Sequence, residues 1–159
     1  MNTPWNSADK PASIRAWVRD LHEQSKAMFI KDGTHVQILF LFGDDGLVSI
    51  NPVPPKTSHE HVYGGIKNAI EEHKLYAVIY IGESWMYSAR GRTDHTVSQI
   101  IDGEIKVSEL NKDDRKEVLL LKMESNDGQS LIHMNEIVRN GTVELASDRL
   151  IENEPLKWF

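Results

Sequence analysis

One run of apolar residues near the middle of the chain limits the folds that are open to it. Residues 75–86 read LYAVIYIGESWM, so an extended segment here would carry hydrophobic side chains on both faces. Such a strand must be covered on both sides, which is typical of a position inside a sheet. A buried helix would give a similar run, but the Tyr, Val and Ile content and the interruption at Gly82 favour a strand. The segment therefore predicts a central strand and the position of the core.

The composition is that of an ordinary globular protein and argues against several classes. The chain has 159 residues, 40% of them hydrophobic and 26% charged, which is enough for one core. Its net charge of −6 argues against broad nucleic-acid binding, because that requires basic residues to displace counterions from phosphates. The absence of cysteine excludes disulfides, thiolate metal sites and cysteine nucleophiles. No leader peptide and no apolar run of membrane length is visible, so we expect a soluble cytoplasmic protein.

The first part of the chain predicts an arm, a long helix and a hairpin. Residues 1–10 are polar and predict a flexible arm in which Trp5 is the one residue able to dock, and a single domain is expected over residues 11–151. Gly33 is placed to end the helix, and strands are predicted over residues 35–42 and 47–52 around an Asp-Gly turn. The helix has apolar residues spaced by three, four and seven, namely Ile14, Trp17, Val18, Leu21, Met28 and Phe29.

A second helix is predicted after a proline-rich stretch. Thr57 and Glu60 have the spacing of a capping box, and the helix should run to about His73. Gly64 and Gly65 disfavour a helix interior, so we expect either a very close contact at these glycines or a later start of the helix. The face expected to be buried comprises Val62, Ile66, Ala69 and Ile70.

Recurring Asp-Gly and Asn-Gly turns predict a meander in the second half of the chain. The tail, residues 152–159, ends in Trp158 and Phe159, which would either bind a partner or fold back onto the domain. Residues 111–116 are read as a charged turn. Strands are predicted over residues 96–101, 104–110, 117–124, 129–138 and 142–146.

Together these elements predict an α+β fold. Its mostly antiparallel sheet would have about five to seven strands in the order hairpin, helix, meander, with two main helices packed against it. This order of elements is similar to that of the roadblock/longin and profilin-like folds. The resemblance is one of element order and carries no family motif, so it implies a fold and not an activity.

The polar residues that follow the central strand form the candidate ligand site. Glu83 and Trp85 end the strand, and Arg90, Arg92 and His95 lie in the loop after it. A rigid strand end that leads into a polar loop is a common position for binding groups. The two arginines could hold a carboxylate or a phosphate, and His95 could act as a base or a ligand. The alternative interpretation is a polar surface loop with Trp85 in the core.

The remaining histidines give weaker indications. His59 and His61 could bind a metal, but positions i and i+2 of a helix diverge, and two solvated histidines in a capping turn are the simpler interpretation. His35 and His133 lie in predicted strands and are interpreted as hydrogen-bonded structural residues. No metal site and no cofactor are therefore assigned.

Two functional hypotheses follow from these observations. The first is a small non-catalytic binding or scaffold domain that acts through protein–protein contacts, with a partner or as a homodimer, because the known phosphate-loop, dinucleotide and nucleophile-elbow motifs are absent. The two-faced strand and the aromatic terminus also motivate it. The alternative is an enzyme or a binding protein for an anionic small molecule, with its site at residues 83–95. A metal-dependent hydrolase using His59 and His61 is less favoured.

Overall fold

All strands in the described part of the chain join one antiparallel sheet. The computed structural model describes residues 3–87, 99–100, 103–110 and 115–159. The sheet is packed against two helices, which confirms the predicted α+β class. The elements are α1 (Lys10–Asp32), β1 (Ile38–Gly43), β2 (Gly46–Pro52), α2 (His59–His73), β3 (Ala77–Tyr87), a 3-10 helix (Val107–Glu109), β4 (Arg115–Ser125), β5 (Ser130–Arg139) and β6 (Val143–Glu152).

The central position of β3 is confirmed. The sheet order is β2-β1-β3-β4-β5-β6, and every neighbouring pair is antiparallel. Residues 77–81 are at most 8% exposed because helices cover both faces of the strand. On one face Ile79 and Ile81 pack with α1, and on the other Val78 and Tyr80 pack with α2. Alternate residues of a strand point to opposite faces, so an apolar run of this length requires two covering layers.

The predicted C-terminal end of α1 is confirmed. Asp9 is the N-cap and its carboxylate accepts from the Ala12 N–H, while Gly33 ends the helix at φ 72° and donates its N–H to the Phe29 carbonyl. The prediction that Met28 is buried is wrong, since this residue is 50% exposed. The buried face of the helix instead contains Ser25 and Phe29, which are four residues apart and therefore on the same side. Met28 is adjacent to Phe29 in sequence, so its side chain points about 100° away around the helix axis.

The start of α2 differs from the prediction. The N-cap is Ser58, which accepts from the His61 N–H, whereas the Thr57 hydroxyl donates to the Pro54 carbonyl in the preceding turn. Both expectations for the two glycines are wrong, because the helix begins before them and a Cβ at either position would meet nothing within 4 Å. Ile66 is the fully buried residue of the predicted face, and Val62, Ala69 and Ile70 are partly buried.

Trp5 docks onto the body of the protein. Its ring stacks on Phe42 at 5.7 Å between centroids and meets Tyr76 edge-on at 6.0 Å. The indole N–H donates to the Asp44 carbonyl at 2.9 Å, so this aromatic residue contacts the β1–β2 turn as well as the core.

The largest differences from prediction lie between β3 and β4. A strand over residues 104–110 is wrong, since residues 107–109 form a 3-10 helix, and residues 99–100 are helical rather than extended. The rest of the predicted 96–101 strand and most of the charged turn lie outside the described residues, and residues 115–116 already belong to β4. β6 is longer than predicted and runs to Glu152, with Ile151 paired to Ile132 of β5.

Candidate functional site

A cavity of about 430 Å³ lies between α2, the sheet and the C-terminal tail. This volume is within the range of roughly 300–1,000 Å³ that small-molecule sites occupy. The aromatic and aliphatic part of its wall comprises Val62 and Ile66 of α2, Tyr80 of β3, Leu120 of β4, and Leu156 and Trp158 of the tail. The cavity is therefore built from segments that are far apart in sequence.

Lys122 is the cation of this cavity. It lies directly opposite Tyr80 in the β3–β4 register, so both side chains project from the α2 face of the sheet. Its ammonium is 5.8 Å from the centroid of the Tyr80 ring, and it forms no ion pair with any carboxylate of the described residues. Burial lowers the pKa of Lys122 below its usual value, because the charged form loses hydration. An ammonium that is half-buried and has no counterion among the described residues is the state that an anionic ligand would relieve.

Tyr80 provides a hydroxyl donor in the same cavity. Burial raises the pKa of Tyr80 to about 12, so the phenol stays protonated at neutral pH. The hydroxyl has no hydrogen-bond partner among the described residues. Gly82 makes room for it, since a Cβ at that position would lie 2.5 Å from the Tyr80 oxygen. The remaining polar lining residues are Gln37, His59, Glu60 and Ser84.

The C-terminal tail forms one wall of the cavity and is held by a buried carboxylate. Glu124, which is 7% exposed, accepts four backbone N–H groups. Its Oε2 accepts from Leu156 at 2.7 Å and Lys157 at 3.2 Å, and its Oε1 accepts from Trp158 at 2.8 Å and Phe159 at 3.1 Å. Trp158 is buried against Tyr80 and Ile66. Of the two expectations for the aromatic terminus, the structure shows Trp158 folded back onto its own chain.

The structure places the described part of the sequence-predicted site on the other face of the sheet. Glu83 accepts from the His35 N–H at 3.1 Å and lies 4.0 Å from Arg139, so its carboxylate connects β3 to the segment before β1. Trp85 is 39% exposed, and the Arg115 guanidinium lies 4.0 Å from its ring centroid. The other three predicted site residues, Arg90, Arg92 and His95, lie outside the described residues.

A depression of about 330 Å³ lies beside Trp85, and two of its three cations, Lys116 and Arg139, already face carboxylates, whereas the Arg115 guanidinium lies over the Trp85 ring. Arg139 donates twice to Glu117, at 3.0 and 2.9 Å, and this bond raises the pKa of Arg139. Lys116 lies 3.7 Å from Glu136. A ligand anion would compete with these carboxylates, so the cavity under α2 is the better candidate for an anion site.

The predicted histidine pair His59 and His61 does not form a metal centre with a third side chain of the described residues. Within the described residues, no set of three metal-ligating side chains contains His59 or His61, although His59 lines the cavity. The His35 ring bonds to the Val36 carbonyl at 2.7 Å, and His35 lies before β1 rather than within a strand as predicted. His133 instead stacks on His22 of α1, with 4.0 Å between ring centroids.

Sequence reasoning missed Lys122 and Glu124, although a signal for both was present. They occupy alternate positions of the apolar strand sequence VLLLKMES, and alternate positions share a face. Two opposite charges on one face of a buried strand indicate polar partners on that face. Those partners are the tail and the cavity, and the sequence of the strand does not specify them.

The fold and the cavity together define the class: an α+β protein with one antiparallel sheet, covered by a long helix on one face and enclosing a ligand-sized cavity on the other. The chain belongs to the family of bacteriophage lambda protein ea47, whose family model matches residues 1–158. No curated protein and no solved structure gives a significant match to this chain. Neither α1 nor α2 combines the length and the apolar content that crossing a bilayer requires.

Proposed function

We propose that this protein binds a small molecule with an apolar body and one anionic group, such as a carboxylate or a phosphate, in the cavity under α2. The observation that carries the proposal is the unpaired ammonium of Lys122 in an otherwise largely apolar cavity of about 430 Å³. An anion there would gain a charge-assisted hydrogen bond in a partly desolvated site. The Tyr80 hydroxyl is a second donor to the same group.

The proposed role is binding without catalysis. The cavity contains His59, Glu60, Ser84 and Lys122, but among the described residues no two of these side chains hydrogen bond to each other. A nucleophile and its activating base would lie within that reach. Glu60 also lines the cavity and repels an anion, so the anionic group is assigned to Lys122 and the apolar body to Ile66 and Trp158.

A pair of ligands that differ only in charge tests the proposal. Octanoate should bind the native protein about tenfold or more tightly than octanol, because only the carboxylate pairs with Lys122. In the Lys122→Met variant, which keeps the length and apolar character of the side chain, this preference should disappear. Isothermal titration calorimetry measures both affinities, and the shift in melting temperature gives an independent check.

Lys116→Met is the matched control for that experiment. Lys116 lies on the same strand, but its side chain is 60% exposed and lies outside the cavity. This variant should retain the preference for octanoate. Equal affinities of octanoate for the native protein and for Lys122→Met, or the absence of saturable binding by either ligand, would contradict the proposal.

A second candidate function is self-association through the free edge of β2, which continues the hypothesis of protein–protein contact. The two edge strands differ in chemistry. β2 reads GLVSINP and has no charged residue, and its Val48 and Ile50 are more than half exposed. β6 carries four charged residues and a positive φ at Ser147. Charges and backbone irregularities protect an edge strand from pairing with another chain, and β2 lacks the charges. The apolar strand β3 and Trp158, which motivated this hypothesis in the sequence, are both buried by other segments of the same chain.

A lysine on β2 should therefore prevent dimer formation by a second copy of the chain. Size-exclusion chromatography with light scattering should show a dimer for the native protein and a monomer for Ile50→Lys. Pairing of two β2 edges would remove water from the new ammonium group, which opposes association. Leu150→Lys makes the same kind of change at a residue of β6 that is 48% exposed, and should leave the dimer intact. A native protein that stays monomeric at high concentration would reject self-association.

A further inference from the structure

A cluster of metal-ligating side chains lies on the face of the sheet opposite the cavity, where α1 crosses β5 and β6. His22 of α1 is 6% exposed, and its ring stacks on that of His133 of β5 at 4.0 Å with an angle of 18° between planes. Asp148 of β6 places its Oδ1 3.5 Å from His133 Nδ1 and 3.9 Å from His22 Nε2. One ligand atom from each of the three residues lies within 4.8 Å of the others.

We propose that His22, His133 and Asp148 bind one divalent transition-metal ion of the Zn²⁺ type. Two imidazoles and one carboxylate are a common ligand set for Zn²⁺ and related ions. Bonds of about 2.0 Å in a tetrahedral arrangement place ligand atoms about 3.3 Å apart. The separations of 3.5 and 3.9 Å are slightly wider, so a contraction together with a rotation of the stacked rings closes the site around an ion.

The unsatisfied nitrogen of His133 is the second observation that points to a ligand. His133 Nδ1 is buried, and it has no hydrogen-bond partner among the described residues. The contact with Asp148 is too long or poorly directed to count as a hydrogen bond. Buried polar atoms are nearly always partnered, and a bound ion is one of the recognised explanations for an exception.

One neighbouring charge opposes a metal at this cluster. Lys26 is a nearby cation, so it weakens the attraction of the cluster for a metal ion.

Asn135 and the ring stack define how an ion would be accommodated. His22 Nε2 donates to the Asn135 Oδ1 at 2.8 Å in a buried position, so an ion that binds this nitrogen must displace its proton, and the amide oxygen is then available as a fourth ligand. In nearly parallel rings the nitrogen lone pairs lie side by side, so binding an ion must turn the rings out of the stack. Asp148, whose side chain is 51% exposed, gives the ion access from solvent.

Titration of the chelator-treated full chain with Zn²⁺ and with Co²⁺ tests this site. We expect one saturable equivalent, a rise in melting temperature, and visible absorption bands from bound Co²⁺. Asp148→Ala and His133→Gln should each weaken the binding of Zn²⁺ by about tenfold or more. Asp148 is half exposed at the sheet edge, so its variant decides the question if His133→Gln does not fold.

The double variant His59→Ala/His61→Ala is the control for adventitious binding by exposed histidines, and should bind Zn²⁺ like the native chain. Loss of binding in this control, the same Zn²⁺ affinity in Asp148→Ala as in the native protein, or no saturable binding at all would overturn the proposal. Lys122→Met should leave Zn²⁺ binding unchanged, so failure of the metal site is distinguishable from failure of the proposed ligand cavity.

Discussion

Replacing Glu124 with alanine is expected to release the C-terminal tail and to lower the free energy of unfolding by about 3 kcal/mol. The carboxylate accepts four backbone N–H groups in a buried position, and no other acceptor of the described residues replaces it. Hydrogen bonds to a charged acceptor contribute roughly 1.5–3 kcal/mol, and buried donors left without an acceptor add a desolvation cost. The tail should therefore leave the sheet, and Trp158 should leave its site against Tyr80.

Urea denaturation measures the loss of stability, and limited proteolysis of the C-terminus reports release of the tail. Glu124→Gln should have an intermediate effect. Its amide keeps one acceptor oxygen, but its NH₂ group would face backbone N–H groups that also donate. Glu144→Ala, at an exposed position of β6, is the matched control and should change stability by less than about 0.5 kcal/mol. A tail that stays protected in Glu124→Ala would show that packing of Trp158 alone holds it.

The same variant connects stability to the proposed ligand site. The tail residues Leu156 and Trp158 form one wall of the cavity, so its release opens the site to water. Binding of octanoate by Glu124→Ala should therefore fall together with the protection of the tail.

Stability is expected to fall steeply at alkaline pH because of Tyr80. Burial raises the pKa of Tyr80 to about 12 in the folded protein, against a usual value of 10.0. Above pH 10.0 the unfolded chain loses this proton before the folded chain does, so the folded state binds more protons and its stability declines with rising pH. The stabilising contribution is complete below pH 10.0 and is lost toward pH 12, with a limit of about 3 kcal/mol.

The Tyr80→Phe variant isolates this effect. The difference in unfolding free energy between the native protein and the variant should shift by up to about 3 kcal/mol over that interval, measured by urea denaturation at a series of pH values. Burial also raises the pKa of Tyr76, and this second contribution cancels because both proteins contain it. A difference that stays constant with pH would show that the Tyr80 phenol ionises as it does in water.

Much of the architecture could be predicted because its signals are local. The run at residues 75–86 requires cover on two faces, and the Asp-Gly turn and the Gly33 stop depend on backbone preferences of one or two residues. The prediction of a strand over residues 104–110 failed because a strand needs a neighbouring strand with which to pair. β3 is already paired with β1 and β4, so residues 104–110 have no free edge of β3 to join, and part of this segment forms a 3-10 helix.

The candidate cavity could not be predicted because its parts meet through long-range contacts. Glu124 meets backbone groups 32 to 35 residues away, and nothing in the local sequence of either segment specifies the other. Glu83 shows the opposite case: a strand-end carboxylate that resembles a ligand group is used to bond the His35 N–H. Polar residues near a strand end indicate a site only when the folded chain leaves them without partners.

The sequence by itself determined the α+β class, the buried central strand, and the Gly33 cap that ends α1, because periodicity and capping act within a few residues. Only the tertiary structure decided that Trp158 folds back, that Lys122 lies in a cavity and meets no counterion in the described part of the chain, and that His22 meets His133. Each of these depends on which strands become neighbours and in which register. The physical reason is that local preferences set the elements, whereas burial and charge pairing depend on contacts between segments far apart in the chain.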